Sequence, residues 1–286
     1  MSTKKIFQEL FSEINAVYDE NEAKSIVYLL LEHFQGISKT DILLDNPLKK
    51  AFDYQEIIHR IKQHEPVQYI IGETEFYGRI FKVSPATLIP RPETEELVEL
   101  TIHTFQDLAK KQLIPSSPKI LDIGTGTGCI AISTAANIQD SVVTAFDISE
   151  EALKMAKQNA LLNEVNVNFE KVDFLDESVH DTLPVFDIIL SNPPYVMNLE
   201  KQEMEHHVLD FEPHLALFVE DENPLIFYKA IAKFAKKHLT ENGFCIVEIN
   251  QAFGTETADL FWKEGFKSVE VIKDFFGKDR MVKALL

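Results

Sequence analysis

The chain has 286 residues, a hydrophobic fraction of 45% and a formal net charge of -18, which allows one large domain beside a small one. This charge repels polyanions and argues against a general nucleic-acid-binding protein. No stretch approaches the roughly 18 apolar residues of a membrane span, and the two cysteines show neither metal nor redox spacing. We therefore expect a cytoplasmic protein that has no metal site, crosses no membrane and binds no DNA directly.

The N-terminal part carries apolar residues at helical spacing. The first helix is predicted to begin with Thr3 as its N-cap, the second to end at Gly36, and the third to stop before Pro66. Two short β-type runs about Gly78 then predict a hairpin. These boundaries predict a helical domain over residues 1–74, a β-hairpin linker over residues 75–90 and a larger α/β domain over residues 91–286.

Strands and helices alternate after Pro115, which predicts a mostly parallel sheet covered by helices on both faces. The connection Asp274–Arg280 is too short for a crossover helix, so the last two strands should pair antiparallel. The sheet should contain seven strands, predicted at Lys119–Ile123, Val142–Phe146, Val167–Val172, Phe186–Leu190, Phe244–Ile249, Val269–Ile272 and Met281–Leu286.

A proline-punctuated segment, Ser84–Glu95, leads from the hairpin into a helix that begins near Pro92. Two interpretations of this segment stay open at this point. It is either a rigid connector between the domains or part of the wall of a binding site.

A glycine-rich loop follows the first strand of the α/β domain and opens its first helix. The loop reads Gly124-Thr125-Gly126-Thr127-Gly128, and an acid, Asp122, stands two positions before it. Glycines at this place let the backbone turn tightly and approach a ligand closely. The loop is therefore predicted to bind a cofactor.

An acidic residue, Asp147, ends the next strand and is placed to accept hydrogen bonds from a ribose diol. A pyrophosphate favours a helix N-terminus without a nearby carboxylate, whereas Asp122 suits a positively charged ligand. S-adenosylmethionine carries a sulfonium and an ammonium and no phosphate. The loop and Asp147 thus predict a site for this cofactor. At the third strand end, Asp173 and Phe174 are either adenine contacts, with Phe174 stacked on the base, or a loop acid and a core residue.

The fourth strand ends in the turn Asn192-Pro193-Pro194-Tyr195. Two prolines stiffen the turn and remove two backbone donors. The Asn192 side chain and the Pro193 carbonyl can then accept hydrogen bonds from one NH2 group, while Tyr195 offers a flat wall beside it. Because ligands of open α/β sheets bind beyond the carboxyl ends of the strands, this turn, the glycine loop and Asp147 should share one edge.

These motifs together resemble the peptide chain release factor N5-glutamine methyltransferase family. The resemblance covers nearly the whole chain and is carried by residues 68–78, Val83–Glu95, Asp122–Gly128, Asn192–Tyr195 and Phe211-Glu212-Pro213. It implies a class I methyltransferase with a Rossmann-like sheet. Residues 91–286 would form its S-adenosylmethionine-dependent domain, and residues 1–74 would help to seat a release factor.

The resemblance implies transfer of a methyl group to the side-chain amide of the glutamine in the Gly-Gly-Gln loop of release factors, a modification that modulates translation termination. Asn192, Pro193 and Tyr195 would be catalytic, with Pro194 completing the substrate site. Asn192 would also contact the cofactor, beside Gly124–Gly128, Asp147 and Phe174. The alternatives are an N6-adenine DNA methyltransferase, which shares the Asn-Pro-Pro-Tyr turn, and a cofactor-binding module without catalysis.

Overall fold

The computed structural model describes residues 2–48 and 52–286, and the chain divides into two compact units. One unit contains the residues up to Gly72 together with Glu205–Phe211, and the other contains Glu73–Met204 and Glu212–Leu286. The predicted domain boundaries at residues 74 and 90 stay predictions. Met1 and the lysine pair Lys49-Lys50, which the sequence alone suggests to be solvated, lie outside the described residues.

The first unit is helical and has its own apolar core. In α1, Ser2 is the N-cap and its hydroxyl accepts from the Lys5 backbone N–H at 3.1 Å. The prediction of Thr3 as N-cap is therefore wrong, because Thr3 is buried and its hydroxyl donates to the Asp41 carbonyl instead. The helices up to Gly72 are α1 Thr3–Ile14, α2 Glu20–Gln35, α3 Lys39–Leu43, α4 Gln55–Lys62 and α5 Val67–Ile71.

The second unit begins with a hairpin, β1 Glu73–Phe76 and β2 Arg79–Lys82, that is tied to the main domain by one buried side chain. Asn159 Oδ1 accepts from the Lys82 backbone N–H at 2.7 Å, and Asn159 Nδ2 donates to the carbonyls of Lys82 and Thr127 at 3.0 and 2.9 Å. The hairpin and the glycine loop are thus fastened to the same helix.

The main sheet has seven strands, as predicted. Its order is β10-β11-β9-β6-β3-β4-β5, and β11 alone runs antiparallel to its neighbours. This arrangement confirms the mostly parallel α/β sheet and the antiparallel final pair. The strands are β3 Lys119–Ile123, β4 Val142–Asp147, β5 Asn168–Lys171, β6 Phe186–Ser191, β9 Leu239–Glu248, β10 Ser268–Lys273 and β11 Asp279–Leu285; a small parallel pair, β7 Val196–Met197 and β8 Phe218–Val219, stands apart.

Helices cover both faces of the sheet, and the central strands therefore bury side chains on both faces. In β6, Ile188 and Leu190 pack with one cluster, while Ile189 packs with the other. This period-2 alternation of two apolar faces is what a central parallel strand requires. The helices of the second unit are α6 Pro92–Lys110, α7 Cys129–Asn137, α8 Glu150–Leu162, α10 His214–Leu217, α11 Ile226–His238 and α12 Gly254–Lys263, whereas α9 His206–Phe211 belongs to the first unit.

Two further sequence expectations concern apolar segments. Cys129 and Cys245 are both buried and form no disulfide, as their apolar surroundings suggest. Burial raises the pKa of the Cys129 thiol to about 12, so the thiol keeps its proton at neutral pH. None of the helices in residues 2–48 and 52–286 combines the length and the hydropathy of a bilayer span.

Candidate active site

The glycine loop and the Asn192 turn start side by side at the carboxyl edge of the sheet. Their strands, β3 and β6, are neighbours, and Ile123 pairs with Ser191 at the end of the ladder. The Ser191 hydroxyl also donates to the Ile123 carbonyl at 2.8 Å. Gly124 directly follows Ile123, and Asn192 directly follows Ser191. The two motifs therefore begin next to each other, at a pair of residues that is held by hydrogen bonds.

Two carboxylates hold the glycine loop through hydrogen bonds. The Thr125 hydroxyl donates to Asp122 Oδ2 at 2.6 Å, and the Gly126 backbone N–H donates to Asp147 Oδ2 at 2.9 Å. Gly126 has φ +55°, a left-handed conformation that favours glycine, and a Cβ placed there would meet nothing within 4 Å. Position 126 therefore faces open space in the cavity described next.

A cavity of about 310 Å³ opens at this edge, within the size range of small-molecule sites. Gly124, Gly126 and Asp147, which we call the cofactor end, line it together with Asn192, Pro193 and Pro194, which we call the substrate end. The side chains of Thr125 and Thr127 are buried behind the loop. Among the described residues, no lysine or arginine lines this cavity.

The two acids of the cofactor end differ in exposure and role. Asp122 is completely buried, and this burial raises its pKa to about 7 despite the hydrogen bond from Thr125. Asp122 does not line the cavity, so it acts on a ligand only through the loop that it holds. Asp147 lines the cavity, and burial also raises its pKa, against the backbone N–H groups of Ser149 and Gly126 that favour its carboxylate.

Asp173 and Phe174 both line the cavity, but the Phe174 ring belongs mainly to the core. Phe174 is 5% exposed, and its ring packs edge-on against Phe234, with centroids 5.2 Å apart, and against His180. An apolar wall is supplied instead by Ile148, which is 41% exposed and directly follows Asp147. Adenine stacking on Phe174 therefore stays a prediction.

The Asn192 turn is held by side chains from distant parts of the chain. Asn192 Nδ2 donates to Thr94 Oγ1 at 3.1 Å, and the Tyr195 hydroxyl donates to Glu248 Oε1 at 3.0 Å. Across the described part of the chain, no donor reaches Asn192 Oδ1 or the Pro193 carbonyl. These two acceptors, which the sequence nominates for an NH2 group, are thus available at the cavity wall.

Tyr195 differs from its predicted place beside a ligand. Its ring packs against the apolar core, and the residue does not line the cavity. Burial raises the pKa of the Tyr195 hydroxyl strongly, with the Glu248 carboxylate adding to the effect. Its part in covering a substrate stays a prediction, whereas its bond to Glu248 is a contact that the sequence does not reveal.

The proline-punctuated segment contributes to the wall. Ala86, Thr87 and Leu88 line the cavity, which decides between the two interpretations left open above in favour of a role at the site. The segment is anchored by a partly buried ion pair, in which Arg91 donates to Glu212 Oε1 at 2.7 Å. Two stretches that carry the family resemblance, Val83–Glu95 and residues 211–213, therefore meet.

Comparison with known proteins assigns the chain to a family. A PrmC N-terminal domain model matches residues 6–72, and a methyltransferase small domain model matches residues 103–211. A release factor glutamine methyltransferase from Flavobacterium psychrophilum is 44% identical over 99% of this chain and 99% of its own length. The chain belongs to the release factor glutamine methyltransferase family. A relative of the same name from Bacteroides thetaiotaomicron is 43% identical over 94% of each chain.

Among solved structures, a 16S rRNA N2 methyltransferase from T. thermophilus in complex with AdoMet and guanosine shares the fold. Its TM-score is 0.50 at 14% identity, over 74% of this chain and 49% of that chain. Family membership confirms the class I methyltransferase fold and S-adenosylmethionine as the cofactor. These relatives favour the glutamine enzymes over the adenine alternative.

The residues at the cavity fit this cofactor. Gly124 and Gly126 bring the backbone to the surface of the cavity, and Asp147 and Asp173 supply carboxylates there. A ligand with a sulfonium and an ammonium is attracted by these acids. A phosphate-bearing ligand would meet the same acids without a lysine or arginine in the described wall.

Sequence reasoning missed several contacts of the site. Glu248, Asn250 and Glu212 hold it through hydrogen bonds, although no short motif marks the first two. Glu248 directly follows the apolar run Phe244–Val247 at the end of β9. A carboxylate that continues a buried apolar run is the one signal that could have drawn attention to it.

Proposed function

We propose that this chain transfers a methyl group from S-adenosylmethionine to the side-chain amide nitrogen of the glutamine in the Gly-Gly-Gln motif of release factors. The observation that carries the proposal is the pair of unengaged acceptors, Asn192 Oδ1 and the Pro193 carbonyl, at the wall of the cavity. Two acceptors match the two N–H donors of a primary amide. The family name of the relatives supports a release factor as the substrate.

The chain's own part in the reaction is to orient a poor nucleophile. An amide nitrogen shares its lone pair with the carbonyl, so it attacks only when held in line. Asn192 Oδ1 and the Pro193 carbonyl accept its two hydrogens and fix the direction of the nitrogen. Orientation of this kind supplies roughly 7–11 kcal/mol when reactants are close to attack geometry.

When bound, the cofactor supplies an electrophilic methyl group on its sulfonium. Positive charge would develop on the amide nitrogen as it takes up this methyl group. The two acceptors, fixed before the reaction, stabilise that charge. The methylated nitrogen then loses its proton to water. The only carboxylates in the described wall are Asp147 and Asp173, and both are assigned to the cofactor.

Tyr195 and Pro194 complete the substrate site in this proposal. Pro194 lines the cavity beside Asn192. Tyr195 would exclude water from the amide once a substrate is bound. Phe174, Asp147 and Gly124–Gly128 would hold the cofactor.

We also propose that the helical unit seats the release factor. The support is that the PrmC N-terminal domain model matches residues 6–72, while the groups assigned to methyl transfer belong to the other unit. A photo-crosslinking residue in place of the exposed Leu43 should capture a release factor. The same residue in place of the exposed Leu161, on the other unit, is the matched control. Equal capture at both positions would contradict the docking role.

The test of the function is transfer of labelled methyl from S-adenosylmethionine to a purified bacterial release factor. A second release factor, with the glutamine of its Gly-Gly-Gln motif replaced, is the control. Label on the normal factor alone is the expected result. Label on both factors would show that another residue is modified, and label on duplex DNA alone would favour the adenine enzyme.

A further inference from the structure

A chain of three hydrogen-bonded side chains lies behind the Asn192 turn. Asn192 Nδ2 donates to Thr94 Oγ1 at 3.1 Å, and the Thr94 hydroxyl donates to Glu248 Oε2 at 2.7 Å. Thr94 and Glu248 are 2% and 1% exposed, so little solvent reaches either side chain. These residues come from α6, the end of β9 and the turn after β6, and no sequence motif joins them.

We propose that Thr94 and Glu248 are positioning residues that set which end of the Asn192 amide faces the substrate. A carboxylate has no proton to donate, so Glu248 accepts from Thr94. The Thr94 hydroxyl has a single proton, and once it is given to Glu248 the oxygen can only accept. Only the NH2 end of Asn192 can donate to it, which leaves the Oδ1 end for the cavity.

The choice matters because the two ends of an amide have nearly the same shape. Packing alone cannot distinguish the oxygen from the NH2 group, and a hydrogen-bond network must do so. With the ends exchanged, the NH2 group of Asn192 would face the NH2 group of the substrate amide, donor against donor. This inference rests on the proposed function, in which Asn192 Oδ1 accepts a substrate hydrogen.

The hydrogen bonds from Asn192 through Thr94 to Glu248 form a chain that we call the relay. The second oxygen of Glu248 helps to fix the direction of its hydrogen bonds. Tyr195 donates to Oε1, and the charge of Arg280 lies near enough to favour the carboxylate, although burial raises the Glu248 pKa. The Tyr228 hydroxyl donates to the Glu248 backbone carbonyl at 3.2 Å. With both oxygens engaged, the carboxylate presents Oε2 to Thr94 and has no free rotation.

The first experiment compares three single variants by kcat, KM for a release factor, cofactor Kd and thermal stability. Thr94→Val should lower kcat about tenfold and leave the cofactor Kd unchanged. One ordinary hydrogen bond changes the ratio of the two orientations of the Asn192 amide by about this factor. Thr94→Ser restores the hydroxyl and should recover kcat. Thr101→Val is the matched control, because Thr101 is buried on the same helix but donates only to the Leu97 carbonyl.

A second variant keeps the proposal testable if Thr94→Val folds poorly. Glu248→Gln has the same shape, but its amide can donate or accept, so the direction of the relay is no longer enforced. Its kcat should fall as in Thr94→Val. In an Asn192→Ala background, Thr94→Val should cause no further loss of kcat, because the relay acts only through Asn192.

The outcomes separate the relay from the function. If Thr94→Val and Glu248→Gln keep normal kcat while Asn192→Ala loses it, the relay is wrong and the proposed function stands. If Thr94→Val lowers kcat equally with and without Asn192, its effect is structural and the relay is also wrong. If Asn192→Ala keeps normal turnover, the proposed function itself fails.

Discussion

The two ends of the candidate site are held in different ways. The glycine loop is fastened by groups that lie nearer to it in the sequence: Asp122 is three residues from Thr125, Asp147 is 21 residues from Gly126 and Asn159 is 32 residues from Thr127. The Asn192 turn depends on Thr94, 98 residues away, and the bond from Tyr195 to Glu248 spans 53 residues. One end is a local motif, and the other is assembled by the fold.

The difference separates binding from orientation. A local loop needs only its own glycines and acids to bring backbone to a ligand. The direction of an amide acceptor instead requires partners on other strands and helices, because a short turn has too few groups to enforce it. Substitutions at the two ends should therefore change different quantities.

The largest effect is expected at the turn. Asn192→Ala removes one of the two proposed acceptors and should lower kcat by at least about 100-fold, as loss of a preorganised hydrogen-bond partner does elsewhere. The cofactor Kd should stay within about threefold of the original, since the glycine loop is intact. Isothermal titration with S-adenosylmethionine and a methyl-transfer assay measure the two quantities. A large loss of cofactor affinity would show that the two ends are not separable.

At the loop, Gly126→Ala should act on the cofactor instead. The new Cβ enters the cavity from a residue with φ +55°, so the cofactor Kd should rise at least about tenfold, roughly 1.4 kcal/mol. Gly277→Ala is the matched control, because Gly277 has φ +78° and also has open space around it, but lies outside the cavity wall. If both variants bind the cofactor normally, the proposed approach of the loop to the ligand is wrong.

The smallest change in activity, and a clear change in stability, is expected at Asp122. Its pKa of about 7 in the folded protein lies above the ordinary aspartate pKa of 3.8, so the folded state holds its proton more tightly. Its contribution to stability is complete below about pH 4 and is lost as the pH rises towards 7.

Asp122→Asn should therefore become more stable relative to the original protein as the pH rises through this window. The gain should reach roughly 3 to 5 kcal/mol at about 1.36 kcal/mol per pH unit. Denaturant unfolding of the cofactor-free proteins from pH 4 to 8 measures it, with Asp181→Asn, at an exposed position, as control. A constant difference between the two proteins across this range would contradict the raised pKa.

Much of the fold could be predicted from the sequence. The strand Lys119–Ile123 is observed with the predicted ends, because strand periodicity is a local signal. The N-cap at Ser2 was missed because Thr3 uses its hydroxyl for a contact with Asp41, 38 residues away. A local rule cannot include such a competitor.

The same limit applies at the site. The sequence by itself determined the family, the cofactor loop and the identity of the turn, because each is written in a few consecutive residues. Only the tertiary structure decided that Phe174 packs into the core, that Asp122 lies behind the loop and that Thr94 and Glu248 meet Asn192. Burial and hydrogen-bond direction depend on which distant groups share a space, and the chain has to fold before that space exists.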